Sequence, residues 1–231
     1  MIDLRVISIG ALAAHPLRDE RAPVRAGHST CTLIRAADKA ILVDPGLPDA
    51  AMNSRLEERA GLTLARITHV FLTSFNPELR RALPALDHAT WWISEPEREA
   101  IGAALVAKLH EASEENDGKL KEALELEVAI LRRCQPAPDH LADHRGERID
   151  LFPLPGITPG LCGLILAGSR FSTLICGDAI PTIEHLEQGK VHTPAADLDR
   201  ARESFAEAVE IADMLVLGRD NMVPNLTKRV F

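Results

Sequence analysis

Short runs of aliphatic and β-branched residues, each closed by turn-forming residues, recur through both ends of this chain and are interrupted once by a helical block. That alternation limits the fold more than any other feature. In the first part, residues 4–9, 30–35 and 39–43 read as strands. TCTLIRAADKAILVDPG is a hairpin that turns at Ala36-Ala37-Asp38 and stops at Asp-Pro-Gly. DAAMNSRLEERAG spaces Met52, Leu56 and Ala60 by four, an amphipathic helix ending at Gly61. ARITHVFLT returns to strand, and PELRRALPAL is expected to begin a helix with Pro77 in its first turn. Residues 30–86 therefore read β-β-α-β-α.

Residues 95–133 change character. Ile101, Leu105 and Leu109 line one helical segment, and Leu120, Leu124, Val128 and Leu131 line a second. Asn116-Asp117-Gly118 separates them, so a hairpin of two antiparallel helices is expected, packed on the main body or on another subunit. Strands resume at RIDLFPL, CGLILAG and STLICGD, divided by PGITPG and by Gly168-Ser169. DLDRARESFAEAVEIA is a further helix capped near Asp197 or Asp199, and DMLVLG is a last strand. No internal repeat or low-complexity segment interrupts the order, and the whole of residues 1–231 is expected to form one domain.

Composition excludes several classes of function. The 231 residues carry a net charge of −8, which disfavours nucleic acid and anionic membranes, since both reward clustered Lys and Arg. Aromatic content is 3% with no Tyr, so stacking platforms for bases are scarce. No run of 18 apolar residues and no export signal is visible, and the four cysteines form no CxxC pair. A cytoplasmic protein with reduced thiols is the expectation.

Five pieces then carry a resemblance: ILVDPG (41–46), THVFLTSFNPELRRAL (68–83), LPGITPGLCG (154–163), LICGDAI (174–180) and ADMLVLGRDN (212–221). In this order and spacing the chain resembles the metallo-β-lactamase fold superfamily. The resemblance implies an α+β fold, a four-layer αββα sandwich with metal at one edge of the sheets, here with the helical hairpin inserted at about 95–135. The family signature His-x-His-x-Asp-His falls on Ser74, Phe75, Asn76, Pro77, Glu78 and Leu79. The family's next histidine falls on Ile157 in Gly-Ile-Thr-Pro-Gly. The bridging aspartate is kept as Asp178, and the final histidine is Arg219. Leu79 and Ile157 donate nothing to a metal, and Arg219 brings a fixed positive charge. Without an ion, water keeps its bulk pKa and no hydrolytic nucleophile forms.

The expectation is a degenerate centre built from Ser74, Asn76, Glu78, Leu79, Ile157, Asp178 and Arg219, with no catalytic residue and no cofactor. The alternative is zinc, iron or manganese held by Glu78, Asp178 and His185 in a divergent hydrolase. Asp178 is expected to pair with Arg219, Asp44 to cap local backbone in its turn, and Glu78 to suit a helix dipole. Ser74 has no base beside it. Cys162 and Cys176 read as buried core residues, with an Arg219-stabilised thiolate as the reactive alternative. His69 reads as structural, His28 as placed where it could face the mouth but with no ligand spacing to support it, and His140 and His144 as members of a polar loop. The expected partner is a small molecule or a protein, with the insert as a candidate homodimer surface through Leu120, Leu124 and Leu131.

Overall fold

The computed structural model describes residues 2–115, 117–144, 147–168 and 171–227. Asn116 and Ser169, expected at turns, and the side chain of His144 lie outside the described residues.

The first sheet has six strands: β1 (Asp3–Ser8), β2 (Cys31–Ala36), β3 (Lys39–Val43), β4 (His69–Leu72), β5 (Thr90–Ile93) and β6 (Gln135–Pro136), in the order β1-β2-β3-β4-β5-β6. The β1-β2-β3 ladder is antiparallel and the rest is parallel. The second sheet contains β7 (His140–His144), β8 (Glu147–Pro153), β9 (Cys162–Ala167), β10 (Ser172–Ile175), β11 (Met214–Val216) and β12 (Met222–Pro224), ordered β12-β11-β10-β9-β8-β7. Only β10 and β11 run parallel there.

Alternation along the strands sorts the side chains into three apolar layers. Ile41, Val43, Phe71 and Trp92 from the first sheet meet Ile149, Cys162, Leu164 and Val216 from the second. Leu42, Val70, Leu72 and Ile93 point the other way, onto α1 (Asp49–Ala60), α2 (Glu95–Glu114) and α3 (Gly118–Arg133). Leu174, Leu215 and Leu217 of the second sheet pack with α4 (Ile183–Gln188) and α5 (Leu198–Ile211), through Leu186 and Ala208. Helices thus cover both outer faces of a β-sandwich, the αββα architecture expected from the sequence.

Local signals set the helix ends. Gly61 closes α1 with φ 62°, Asp117 caps α3 by accepting the Leu120 N–H, and Asp197 caps α5 by accepting the Asp199 and Arg200 N–H groups. α2 and α3 form the expected hairpin, and they lie on the first sheet: Leu105, Leu124 and Leu131 are buried there. Leu124 and Leu131 are therefore committed within the chain, whereas Leu120 is 44% exposed.

Three expectations are corrected, and one element is new. PELRRALPAL is not an α-helix but two 3-10 turns, Pro77–Leu79 and Leu83–Leu86, because Pro84 removes an N–H and clashes with the preceding turn. His140 and His144 lie on edge strand β7, not in a loop, and His140 Nδ1 sits 2.7 Å from Asp150. DMLVLG is followed by a further strand, β12, which pairs antiparallel with it. α4, too short to show a helical period, follows Asp178.

Candidate functional site

Two parallel strand pairs, one in each sheet, end at the same edge of the sandwich. Ligand sites form outside such carboxyl ends, where loops diverge from a fixed scaffold. From the first sheet, β3 delivers Asp44 and β4 delivers Thr73 to Leu79. From the second, β10 runs into Asp178 and β11 into Arg219. The latter two loops are tightly apposed: a Cβ on Gly218 would lie 2.3 Å from the Gly177 carbonyl oxygen, so only glycine fits.

Arg219 is the centre of the cluster. It is 3% exposed, and its Nε and Nη2 donate to Asp178 Oδ1 and Oδ2 at 2.7 and 2.8 Å. Its Nη1 donates to Glu78 Oε2. One guanidinium thus bridges a carboxylate from each sheet in the forked geometry that makes Arg–carboxylate pairs strong. Burial by itself raises the Asp178 carboxyl, but the charge and hydrogen bonds of Arg219 outweigh it and hold the group below its ordinary range. Arg219 is correspondingly pushed further up, its two carboxylates outweighing its burial. Glu78 sits in a single 3-10 turn, so its role is this ion pair and not the helix dipole expected from the sequence.

The other family positions are filled by groups engaged elsewhere. Asn76 accepts the Glu78 N–H at 3.0 Å, Leu79 is buried, and Ile157 packs against the outer layer of the second sheet. Ser74 is buried, with neither imidazole nor carboxylate bonded to its hydroxyl among the described residues. A third carboxylate, Glu97 at the start of α2, is fully buried and accepts the N–H groups of Phe75 and Gly160, each at 3.0 Å. It thereby fastens the loop after β4 to the Pro-Gly turn before β9. Arg80 adds a further tie, bonding to Glu127 of α3 and to the Phe75 carbonyl. The helical insert is bolted to the site by these two acids.

Asp44 departs from its expected local capping role. Its oxygens accept the Thr73 N–H at 2.8 Å and the Thr73 hydroxyl at 2.7 Å, across to the neighbouring strand. It is 2% exposed with φ 51°, and burial pushes its carboxyl up to about 7, with Asp178 adding to the rise while Thr73 and Arg219 oppose it. Between pH 4 and 7 the folded chain therefore keeps a proton that the unfolded chain has released. This group's contribution is fully present below about pH 4 and is lost as the pH rises through about 7. Asp44→Asn stays neutral at every pH and tolerates a positive φ. It is expected to raise stability by on the order of 2–4 kcal/mol at pH 8 and to leave it unchanged near pH 4. Urea unfolding across that range checks this; parallel curves for the two proteins would show that Asp44 does not titrate.

Sequence reasoning missed a buried histidine group behind Asp178. His185 lies 5.5 Å, ring to ring, from His15 and 5.9 Å from His192. The Thr182 hydroxyl joins them, 2.8 Å from His185 Nδ1 and 3.0 Å from His15 Nε2. Burial lowers His185 to about 4 and also lowers His192, so His185 is neutral at pH 7. His15 and His192 come from separate loops with no mutual spacing to reveal them. His185 was expected as a packed histidine or a weak ligand, and its Nδ1 is already engaged by Thr182.

This donor set does not fit a family-type metal ion. Asp178 and Glu78 already share a fixed cation, which would repel a second one. Among the described residues, no three His, Cys, Asp or Glu side chains are grouped so that they could hold a metal. The cysteines offer no replacement: burial pushes Cys162 up to about 12 and Cys176 further still, with no contribution from Arg219. Both are packed core residues on opposite faces of the second sheet. His69 stacks on Trp92 at 4.2 Å, and His28 is held by the carbonyls of Ala26 and Ile9.

The family model described as the metallo-beta-lactamase superfamily matches residues 24–216. A solved Thermotoga maritima structure described as a metallo-beta-lactamase aligns with a TM-score of 0.67 at 17% identity, over 96% of this chain and 99% of that one. A Staphylococcus aureus protein described as a metal-dependent hydrolase aligns at 0.66 with 12% identity, over 95% and 89%. AidC, a dizinc quorum-quenching lactonase, aligns at 0.60 with 18% identity, over 78% and 67%. At these identities the likeness is one of fold. The comparison with curated proteins returned no match.

Proposed function

Because the chain belongs to the metallo-beta-lactamase superfamily, we propose that it is a member whose metal centre has been replaced by an arginine-centred ion-pair cluster, and that it acts by binding a small molecule or a protein partner rather than by metal-dependent hydrolysis. The observation that carries this reading is the position of Arg219, buried and bonded to both Asp178 and Glu78. Those are the two carboxylates that stand at the family's metal-ligand positions by resemblance of the motifs. A guanidinium supplies the positive charge that a buried carboxylate pair needs, without an open coordination position for water.

The competing reading is a divergent hydrolase using Glu78, Asp178 and His185. It requires Arg219 to leave both carboxylates, with His185 contributing Nε2 while Thr182 holds its Nδ1. The two readings separate on a panel of esters, lactones, thioesters and phosphodiesters, assayed with zinc, iron or manganese added. The pseudo-hydrolase reading expects no metal-stimulated turnover. Metal-stimulated turnover that disappears in Glu78→Ala and Asp178→Ala would establish the hydrolase instead. No helix among the described residues is long and apolar enough to cross a membrane.

A further inference from the structure

We propose that the groove between β1 and α1 binds an amphipathic carboxylate, an anion with an apolar body of medium chain length. The groove encloses about 420 Å³, within the range of about 300–1,000 Å³ typical of small-molecule sites. Val6, Ile7, Ile9 and Leu47 give it apolar walls, and Ile9 is 47% exposed at its mouth. The β1-β2 ladder shifts register between Val6 and Ser8, a bulge in the strand that borders the groove.

The polar groups point to an anion. Arg55 and Arg59, one turn apart on α1, line the groove, and no acidic side chain does. Arg55 pairs with Glu58 at the surface, where such a bond is weak, and Arg59 has no ion-pair partner among the described residues. The Ser8 hydroxyl, in a residue 8% exposed, is buried without a partner. That oxygen is closed to solvent, so it lies beneath the groove floor and makes no contact with a ligand. A carboxylate is the acceptor that two guanidinium groups recognise, and the apolar walls take the remainder of such a molecule. None of Glu78, Asp178 and Arg219 lines this groove. The site therefore stands whether or not the Arg219 cluster holds a metal.

The test is calorimetric titration of the full chain with octanoate, using 1-octanol and octylammonium as probes of the same body with a neutral or cationic head. Octanoate is expected to bind saturably, at least about tenfold tighter than octanol, with octylammonium showing no binding. Arg55→Ala/Arg59→Ala should bring octanoate down to the affinity of octanol. Ile9→Glu, which places an acid at the exposed mouth, should abolish octanoate binding. All three positions are exposed, so the variants are expected to keep the wild-type unfolding midpoint. No saturable octanoate binding, octylammonium binding as tight as octanoate, or an unchanged octanoate affinity in the double variant would overturn the proposal.

Discussion

Arg219→Met is expected to cost about 3–5 kcal/mol of unfolding free energy, because it leaves Asp178 as a buried carboxylate without its counter-charge. Adding Asp178→Asn should recover most of that loss, since the amide has no charge to compensate. The pH dependence should also change. In the wild type, Asp178 is held below its ordinary value, so its contribution is present above about pH 4 and falls away only as pH drops through the folded value. In Arg219→Met, burial acts on the carboxyl without its main opponent and raises it, so the variant should gain stability relative to wild type between pH 7 and pH 5. Urea midpoints at the two pH values measure both effects. A loss under about 1 kcal/mol would mean that the pair is effectively solvated.

Glu97→Ala should be comparably damaging. The carboxylate is fully buried and accepts two backbone N–H groups from different loops, and its own N–H is capped by the Ser94 hydroxyl at 3.3 Å. Truncation leaves both N–H groups of Phe75 and Gly160 without an acceptor, at about 1–3 kcal/mol each, or about 2–6 kcal/mol together. Glu97→Gln should rescue little, because its amide nitrogen would face a backbone N–H with another donor. Hydrogen exchange of the Phe75 and Gly160 amides should accelerate in both variants relative to the strand amides. Full rescue by glutamine would contradict the two-acceptor role.

The strands were legible wherever a short aliphatic or β-branched run met a turn signal, as at Ala36-Ala37-Asp38 closing β2, Pro45-Gly46 after β3 and Gly168 after β9. The insert was legible because Leu105, Leu124 and Leu131 repeat at helical spacing. The 3-10 segment 77–86 misled because Leu79, Leu83 and Leu86 carry a helical period that Pro84 vetoes. β6, β12 and α4 are too short to show any period, and tertiary pairing alone defines them. At the site, Glu78, Asp178 and Arg219 could be placed because each occupies a family position at a strand end. Ser94-x-x-Glu97 carries the capping-box signature, but nothing local indicates that the glutamate turns to Phe75 and Gly160 instead of its own helix. The meeting of His15, His185 and His192 depends on where two loops meet α4, which no spacing encodes.

The most direct measurement is the metal content of the protein purified without chelators, followed by calorimetric titration with zinc. With Arg219 holding Asp178 and Glu78, the content should lie well below one ion per chain and the titration should show no saturable site. One or two ions per chain, bound with micromolar or tighter affinity and lost in Asp178→Ala, would contradict the replacement of the metal by Arg219.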